Sequence, residues 1–393
     1  MTVERTDILI VGAGLAGARC AEALRAGGHD GRIIVAGEEP HPPYERPALS
    51  KELLLGSRSA PELALREPGF WAARGIELRP GARIDALDLH GRRAAAGPQE
   101  FRWTTLVVAT GVRARRLPGL DGLPGIHHLR TIDDAAGLRE ALVPGARLAV
   151  VGAGFVGLEV ASSALQLGVD VTVVDPAPVP FERTLGPEVG ALLAERVRAA
   201  GIDLRLDTPV RGVAGRGRVE AIELGGGARL ECDAVLVGVG ARPNAELLAG
   251  LLALAPDGGV PVDARGRTAA AGVHACGDVA SVGLPEGGAA GVRLEHWSAA
   301  AATAAATAAG ILDLAPRRAP VPFFWSDQFG WRIQALGPAG PGLRVTAEGD
   351  ADAFVARYTD ARGALRAAVV AGRADALPEL RRELADGAMA LAG

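Results

Sequence analysis

Apolar residues and glycines follow one another along the first forty residues in the order strand, turn, helix, strand. The run DILIV at 7–11 predicts a short buried strand, and the run ARCAEALRAGG at 18–28 has the composition of a helix. Between them stands the motif Gly-x-Gly-x-x-Gly at 12–17, and a second apolar run, RIIVAG, follows the helix and leads to Glu38. This arrangement predicts a nucleotide-binding unit of the βαβ type.

The glycines of this motif each have a physical reason. Gly12 permits the tight turn, Gly14 lets a pyrophosphate approach the backbone, and Gly17 lets the helix pack closely on the strand. The helix N-terminus offers free N–H groups and a positive dipole end to the phosphates. Glu38 is placed to accept hydrogen bonds from the adenosine ribose.

The whole unit occurs a second time, 140 residues further along the chain. An apolar run at 147–151 leads into a second glycine motif at 152–157, then into a helical run and a strand that ends at Asp175. One such motif alone is weak evidence, but two complete units predict two dinucleotide sites. Asp175 favours NADH over NADPH because a carboxylate repels the 2′-phosphate, although Arg183 could soften that preference.

Charge and composition exclude several classes of protein. The chain of 393 residues is 49% apolar and 22% charged, which is typical of a globular protein with two or three domains. A net charge of −4 gives no general basic field for nucleic acid. No apolar run reaches the roughly 18 residues that span a bilayer. We expect a cytoplasmic monomer or homodimer that has neither nucleic acid nor membrane as a partner.

The basic and sulfur-containing residues are unusual. Of the 42 basic residues, 41 are arginine, and Lys51 is the single lysine. Either a codon bias or a need for a compact ammonium explains this lone lysine equally well. The three cysteines Cys20, Cys232 and Cys276 are widely spaced, which argues against a disulfide framework, a metal site and a dithiol redox centre. No metal is expected.

The segment TAAAGVHACGD at 268–278 resembles the second FAD fingerprint of the glutathione-reductase-like flavoproteins, whose last aspartate binds the ribityl chain. Asp278 takes that position here. The fold class implied is α/β, with two Rossmann-like dinucleotide-binding domains and a small α+β C-terminal domain. We expect an FAD domain in two segments, 1–115 and 234–314, an NAD domain at 116–233, and the C-terminal domain at 315–393.

A narrower resemblance begins at Pro43-Tyr44-Glu45-Arg46-Pro47-Ala48-Leu49-Ser50-Lys51. This stretch is similar to the PYxRPxLSK element of the NADH-dependent ferredoxin, rubredoxin and putidaredoxin reductases that serve cytochromes P450 and ring-hydroxylating dioxygenases. The similarity continues through GFVGLE at 154–159, EHWS at 295–298 and FWSDQ at 324–328. Where disulfide reductases carry their redox-active cysteine pair, this chain has a proline-rich loop, so its electrons must leave to another molecule.

The resemblance assigns roles to individual residues. Lys51 would lie beside the isoalloxazine and stabilise the reduced flavin, and Glu159 would lie near the nicotinamide and pair with Lys51; both are candidate catalytic residues. A first-turn glutamate favoured by the helix dipole is the alternative for Glu159. Arg46 resembles the arginine that contacts the FAD pyrophosphate, and Trp325 would border the flavin, although five aromatic residues within 323–331 equally suggest core packing.

The remaining candidate cofactor contacts share the motifs above or a matching position in the family. They are Leu15, Ala16, Ile84, Ala109, Thr110, Gly111, Arg130, Gly152, Gly154, Phe155, Val156, Gly157, Gly240, Gly277, Glu295, His296 and Trp297. The alanine-rich helix expected from about Glu295 would point its N-terminus at the flavin. Arg130 could equally be a solvated surface charge.

The function that the resemblance implies is NADH:ferredoxin or NADH:rubredoxin reduction through FAD, with the carrier feeding a P450 or dioxygenase. NADH would bind at 152–183 and deliver hydride to the flavin. Two electrons would then leave singly to an iron–sulfur ferredoxin or a rubredoxin, attracted by an arginine patch formed by Arg317, Arg318 and Arg332. The alternatives are an NADH oxidase or peroxidase, and a redox-responsive flavin and NAD binding protein.

Overall fold

The computed structural model describes residues 2–120, 122–283, 291–315, 320–340 and 342–389. Its helices are α1 (Leu15–Ala26), α2 (Glu52–Leu55), α3 (Phe70–Ala73), α4 (Ile132–Ala141), α5 (Phe155–Gln166), α6 (Glu182–Ala199), α7 (Trp297–Ile311) and α8 (Leu377–Met389). The strands to residue 127 are β1 (Thr2–Val11), β2 (Ile33–Ala36), β3 (Ile76–Arg79), β4 (Ala86–Asp88), β5 (Arg93–Ala96), β6 (Gln99–Val108), β7 (Val112–Ala114) and β8 (Ile126–His127). Those to residue 243 are β9 (Arg147–Val151), β10 (Asp170–Val174), β11 (Asp203–Arg205), β12 (Val210–Ala214), β13 (Ala221–Leu224), β14 (Arg229–Glu231), β15 (Ala234–Val237) and β16 (Ala241–Pro243). The last are β17 (Val260–Val262), β18 (Val273–Ala275), β19 (Ala280–Val282), β20 (Phe323–Gln328), β21 (Trp331–Leu336), β22 (Arg344–Gly349), β23 (Phe354–Thr359) and β24 (Leu365–Ala371).

The chain divides into two compact units. The first comprises residues 1–45, 61–113 and 242–320, and the second comprises residues 46–60, 114–241 and 321–393. The predicted domain limits at 115, 233 and 314 do not coincide with these unit limits, which fall at 113, 241 and 320. Strand β15 pairs with β9, so residues 234–237 belong to the second unit and not to the FAD segment expected from 234. The short segment 46–60, which carries Lys51, also belongs to the second unit.

The first unit is built on a sheet in the order β3-β2-β1-β6-β5-β4, with β18 also paired to β6. Strands β3, β2, β1, β6 and β18 are parallel, whereas β4 and β5 form an antiparallel extension. The apolar run of β1 is buried on both faces: Ile8 and Ile10 pack with α1 and α7, while Leu9 and Val11 pack with Phe101. Burial on both faces explains why this strand reads as an unbroken apolar run.

The second unit contains a parallel sheet in the order β11-β10-β9-β15-β8 and a small antiparallel sheet, β12-β13-β14. Its C-terminal part is a five-stranded antiparallel sheet in the order β20-β21-β24-β23-β22. The apolar side chains Leu377, Leu380 and Leu384 of α8 pack against this sheet. The predicted α/β class, with two Rossmann-like folds and a small α+β C-terminal region, is confirmed. Within the described residues, no helix has the length and apolar character of a membrane span.

Candidate functional site

The first glycine motif joins β1 to α1. A Cβ atom on Gly17 would lie 2.0 Å from the carbonyl oxygen of Gly12, so only glycine lets the helix come this close to the turn. Gly14 is the N-cap of α1, and no side chain of the described residues caps this helix end. The N–H groups of its first turn, at Leu15, Ala16 and Gly17, are therefore available to an anion.

The ends of neighbouring parallel strands bring the other predicted FAD residues of the first unit to the same edge. Ala109 follows β6 and donates its N–H to Val11 at 2.7 Å, and Cys276 after β18 donates to Val108 at 3.1 Å. A Cβ atom on Gly277 would lie 2.5 Å from Cβ of Ala16, so the Gly277–Asp278 turn closely approaches the start of α1. Ligands of open α/β sheets bind at such a strand edge.

Thr110 and Gly111 are fixed by a residue that sequence reasoning missed. The side-chain amide of Asn244 donates to the backbone carbonyl of Thr110 at 3.0 Å. The Thr110 hydroxyl in turn donates to the backbone carbonyl of Asn244 at 2.6 Å. The backbone N–H of Asn244 also donates to Gly111 at 3.0 Å. Asn244 ends the run VLVGVGARPN at 235–244, from which Gly240 alone was predicted as a cofactor contact. The Gly240 carbonyl accepts the N–H of Arg115 at 2.9 Å.

Helix α7 begins at Trp297, two residues after the predicted start. The Nδ1 atom of His296 accepts the N–H of Ala299 at 3.1 Å and so caps the helix. Burial lowers the pKa of His296, which favours the neutral ring that this acceptor role requires. Glu295 forms an ion pair with Arg293, which also donates to the Asp278 carbonyl at 3.2 Å.

The second glycine motif joins β9 to α5 in the same way. A Cβ atom on Gly157 would lie 2.1 Å from the carbonyl oxygen of Gly152, whereas a Cβ atom on Gly154 would meet nothing within 4 Å among the described residues. Gly154 is also the N-cap of α5, without a side-chain cap from the described part of the chain. The space above Gly154 fits an approaching pyrophosphate. Phe155 and Val156 form the first turn, where Val156 is 41% exposed.

The two acids at the strand ends differ in their surroundings. Glu38 is largely exposed and pairs with Arg83 at 3.2 Å. Asp175 is half-buried and accepts the N–H groups of Ala153 at 2.7 Å and Ala177 at 2.8 Å. The Asp175 carboxylate is therefore held against the second glycine loop. Arg183 is exposed in the first turn of α6.

The second unit brings Lys51 and Glu159 together. The Nζ atom of Lys51 lies 2.8 Å from Oε2 of Glu159, and the two side chains are only 14% and 9% exposed. Ser50 donates its hydroxyl to the same Oε2 at 2.5 Å, and Ser326 donates to Oε1 at 2.6 Å. The carboxylate charge is thus balanced by a cation and two hydroxyl donors, which is what a buried ion pair requires.

The other predicted cofactor contacts of the second unit lie at two places. Arg46 donates to the carbonyl oxygen of Arg130 at 2.6 Å, so these two residues are neighbours. Trp325 stacks on Phe323 with ring centroids 6.0 Å apart, and Phe324 makes an edge contact with Phe155. Trp331 is core, packed on Phe354. The aromatic run therefore serves packing at several of its positions.

Two further predicted residues, Ile84 and Arg332, have contacts typical of a core residue and of a surface ion pair. Ile84, in the first unit, is 8% exposed and belongs to the core that contains Phe101. Arg332 of the predicted arginine patch pairs with Asp327 at 2.6 Å, which balances its charge locally. Arg317 and Arg318 lie outside the described residues.

The cysteines show a contact that sequence spacing concealed. Cys20 on α1 and Cys276 before the Asp278 turn are both fully buried in one apolar cluster. A hydrogen bond with Cys20 and complete burial raise the pKa of the Cys276 thiol well above its ordinary range. Burial likewise raises the pKa of Cys232 to about 11. The thiols of Cys276 and Cys232 are therefore poor nucleophiles, since the thiolate is the reactive form.

Comparison with known proteins places this geometry in a family. Residues 6–304 match the model of the pyridine nucleotide-disulphide oxidoreductases, and residues 323–392 match the reductase C-terminal domain. The chain belongs to the pyridine nucleotide-disulphide oxidoreductase family. It is 40% identical, over 87% of its length and 84% of the relative, to the anthranilate 1,2-dioxygenase system ferredoxin–NAD(+) reductase component of Burkholderia cepacia.

Two further relatives extend the comparison. The rubredoxin–NAD(+) reductase of Pseudomonas putida is 36% identical over 84% of this chain and 86% of the relative. The crystal structure of the covalent putidaredoxin reductase–putidaredoxin complex matches with a TM-score of 0.91 and 31% identity, over 97% of this chain and 93% of that chain. The resemblance to the ferredoxin, rubredoxin and putidaredoxin reductases is therefore confirmed.

Proposed function

We propose that this protein is an FAD-dependent NADH:ferredoxin or NADH:rubredoxin reductase, whose carrier feeds a P450 or a ring-hydroxylating dioxygenase. The observation that carries the proposal is the pair of glycine loops, each with a close helix approach and a helix N-terminus that no described side chain caps. Two such loops in one chain provide for two dinucleotides. The relatives named above, which are reductase components of oxygenase systems and a rubredoxin reductase, support the same activity.

FAD, when bound, would supply the chemistry that links a two-electron hydride donor to a one-electron acceptor. The chain's own residues bind and orient. The first turns of α1 and α5 would hold the two pyrophosphates, and Asp278 would hold the ribityl chain. Asp175, fixed against the Gly152–Gly157 loop, would repel the 2′-phosphate of NADPH.

Lys51 and Glu159 are the residues that we propose to act on hydride transfer. By the family resemblance, Lys51 would lie beside the isoalloxazine, where a fixed ammonium would stabilise negative charge on the ring. Its short ion pair with Glu159 and the low exposure of both side chains support a fixed position. Glu159 acts by holding that ammonium and by keeping the buried pair neutral overall.

The electrons must leave the polypeptide. The loop at 46–51 contains no cysteine, and the cysteines of this chain are buried. We therefore propose a separate iron–sulfur or rubredoxin carrier as the acceptor. We also propose a cytoplasmic location, which the use of NADH and the three unpaired thiols support.

The test uses purified protein loaded with FAD. We expect rapid reduction of a [2Fe–2S] ferredoxin with NADH, much slower reduction with NADPH, and slow NADH consumption in air when the ferredoxin is left out. Fast NADH consumption without any carrier would favour the oxidase instead. Flavin reduction that is faster with NADPH than with NADH would overturn the cofactor assignment.

A further inference from the structure

Strand β20 presents two buried polar side chains on one face. Because successive residues of a strand point to opposite faces, Ser326 and Gln328 share a face, while Asp327 points the other way and pairs with Arg332. Ser326 and Gln328 are 1% and 4% exposed. Polar side chains buried this deeply are expected to have hydrogen-bond partners inside the protein.

The partner of Ser326 is the carboxylate of Glu159. Ser326 donates its hydroxyl to Oε1 at 2.6 Å, while Lys51 and Ser50 bind Oε2. The two oxygens are thus held from two different parts of the chain: Oε2 from the segment at 46–60, and Oε1 from the C-terminal sheet. A carboxylate held at both oxygens cannot rotate, so its position fixes that of Lys51 as well.

Gln328 sets the direction of the Ser326 hydroxyl. Its Nε2 atom lies 3.1 Å from Ser326 Oγ and donates to it. A serine hydroxyl carries one proton, so an N–H donor on its oxygen leaves that proton for Glu159. Donation therefore runs in one sense from the Gln328 amide through the Ser326 hydroxyl to the Glu159 carboxylate. The carboxylate also accepts from Lys51 at its other oxygen.

We propose that Ser326 and Gln328 are positioning residues for hydride transfer, acting through the Glu159–Lys51 pair. This inference rests on the proposed function, since it assigns the C-terminal domain a part in the chemistry of the reductase. Without Ser326, Oε1 of Glu159 is buried without that donor, so the carboxylate reorients and Lys51 loses its fixed place. The predicted consequence is slower hydride transfer with unchanged NADH affinity.

The structure provides a matched control on the same helix and hairpin. Ser162, one turn after Glu159 on α5, accepts the N–H of Phe329 at 2.7 Å and is 5% exposed. It fastens the β20–β21 hairpin to α5, as Ser326 does, but does not touch the carboxylate in any hydrogen bond of the described residues. Ser162→Ala therefore measures the effect of weaker hairpin docking alone.

The experiment measures the rate of flavin reduction by NADH in anaerobic stopped flow, over a range of NADH concentrations, with FAD-loaded enzyme. We expect Ser326→Ala to slow the limiting rate of flavin reduction about tenfold and to leave the apparent Kd for NADH within about twofold of wild type. Ser326→Thr, which keeps the hydroxyl, should restore the rate. Gln328→Met should fall between Ser326→Ala and wild type. Ser162→Ala should stay within about twofold of wild type.

A double-mutant cycle with Glu159→Gln separates positioning from folding. If Ser326 acts through Glu159, adding Ser326→Ala to Glu159→Gln should slow reduction by less than about twofold. Equal rates for Ser326→Ala and Ser162→Ala, or effects that multiply in the double variant, would overturn the inference. Wild-type enzyme whose flavin NADH does not reduce would instead refute the proposed function, so the two failures are distinguishable.

Discussion

The second glycine motif allows binding and folding to be separated by two single-methyl changes. In Gly154→Ala, the new Cβ meets no atom of the described residues within 4 Å, and the backbone at φ −91° and ψ −173° suits alanine. Alanine is a poorer N-cap than glycine but restricts the unfolded chain, so we expect a loss of less than about 1 kcal/mol in the free energy of unfolding. In Gly157→Ala, the new Cβ would stand 2.1 Å from a backbone oxygen, and we expect a loss of about 3 kcal/mol or more.

Binding should respond in the opposite order. A methyl group on Gly154 occupies the space that we assign to the NADH pyrophosphate and removes one hydrogen bond to a charged group, worth about 1.5–3 kcal/mol. The Kd should therefore rise roughly 10- to 150-fold. Titration calorimetry with NAD+ measures this, and urea midpoints measure stability. Wild-type affinity in Gly154→Ala, or wild-type stability in Gly157→Ala, would refute the assignment of these glycines.

Three other perturbations test different parts of the molecule. Lys51→Met leaves the buried Glu159 carboxylate without its cation, so the free energy of unfolding, measured by the urea midpoint, should fall by about 3–5 kcal/mol. The double variant Lys51→Met/Glu159→Gln should recover most of this lost stability. A loss below about 1 kcal/mol in Lys51→Met would mean that the ion pair behaves as an exposed one. Native enzyme should not react with a thiol reagent at pH 8 until urea is added, because the described cysteines are buried and the pKa of Cys232 is raised to about 11. Fast labelling of the native protein would contradict this prediction. Burial lowers the pKa of His127, His274 and His296 in the folded protein, so the unfolded chain binds more protons than the folded one. The free energy of unfolding should therefore fall as the pH drops below the ordinary histidine pKa of 6.5. An unchanged urea midpoint between about pH 7.5 and 5.5 would argue against buried neutral rings.

Local patterns predicted the parts of the site that local sequence determines. The glycine loops, the acid after each second strand and the turn at Asp278 depend on residues adjacent in the chain, and each is present at the predicted place in the structure. The Lys51–Glu159 pair could be predicted only through the family resemblance, because 108 residues separate its members. Burial makes the pair necessary, since each charge would be costly alone.

Contacts set by tertiary packing remained hidden. Ser326 and Gln328 lay in a run interpreted through its aromatic residues, and their contact with Glu159 depends on how the β20–β21 hairpin packs on α5. The approach of Cys20 to Cys276 depends on the packing of α1 against the end of β18. The limits of the compact units differ from the predicted domains because β15 completes the sheet around β9.

Electron transfer to a separate carrier is tested most directly by anaerobic double mixing of FAD-loaded enzyme, first with one equivalent of NADH and then with excess oxidised [2Fe–2S] ferredoxin. We expect the flavin to be reduced in the first step and reoxidised in the second, with two ferredoxins reduced for each flavin. A flavin that stays reduced until oxygen is admitted would contradict the claim that the electrons leave to a separate carrier.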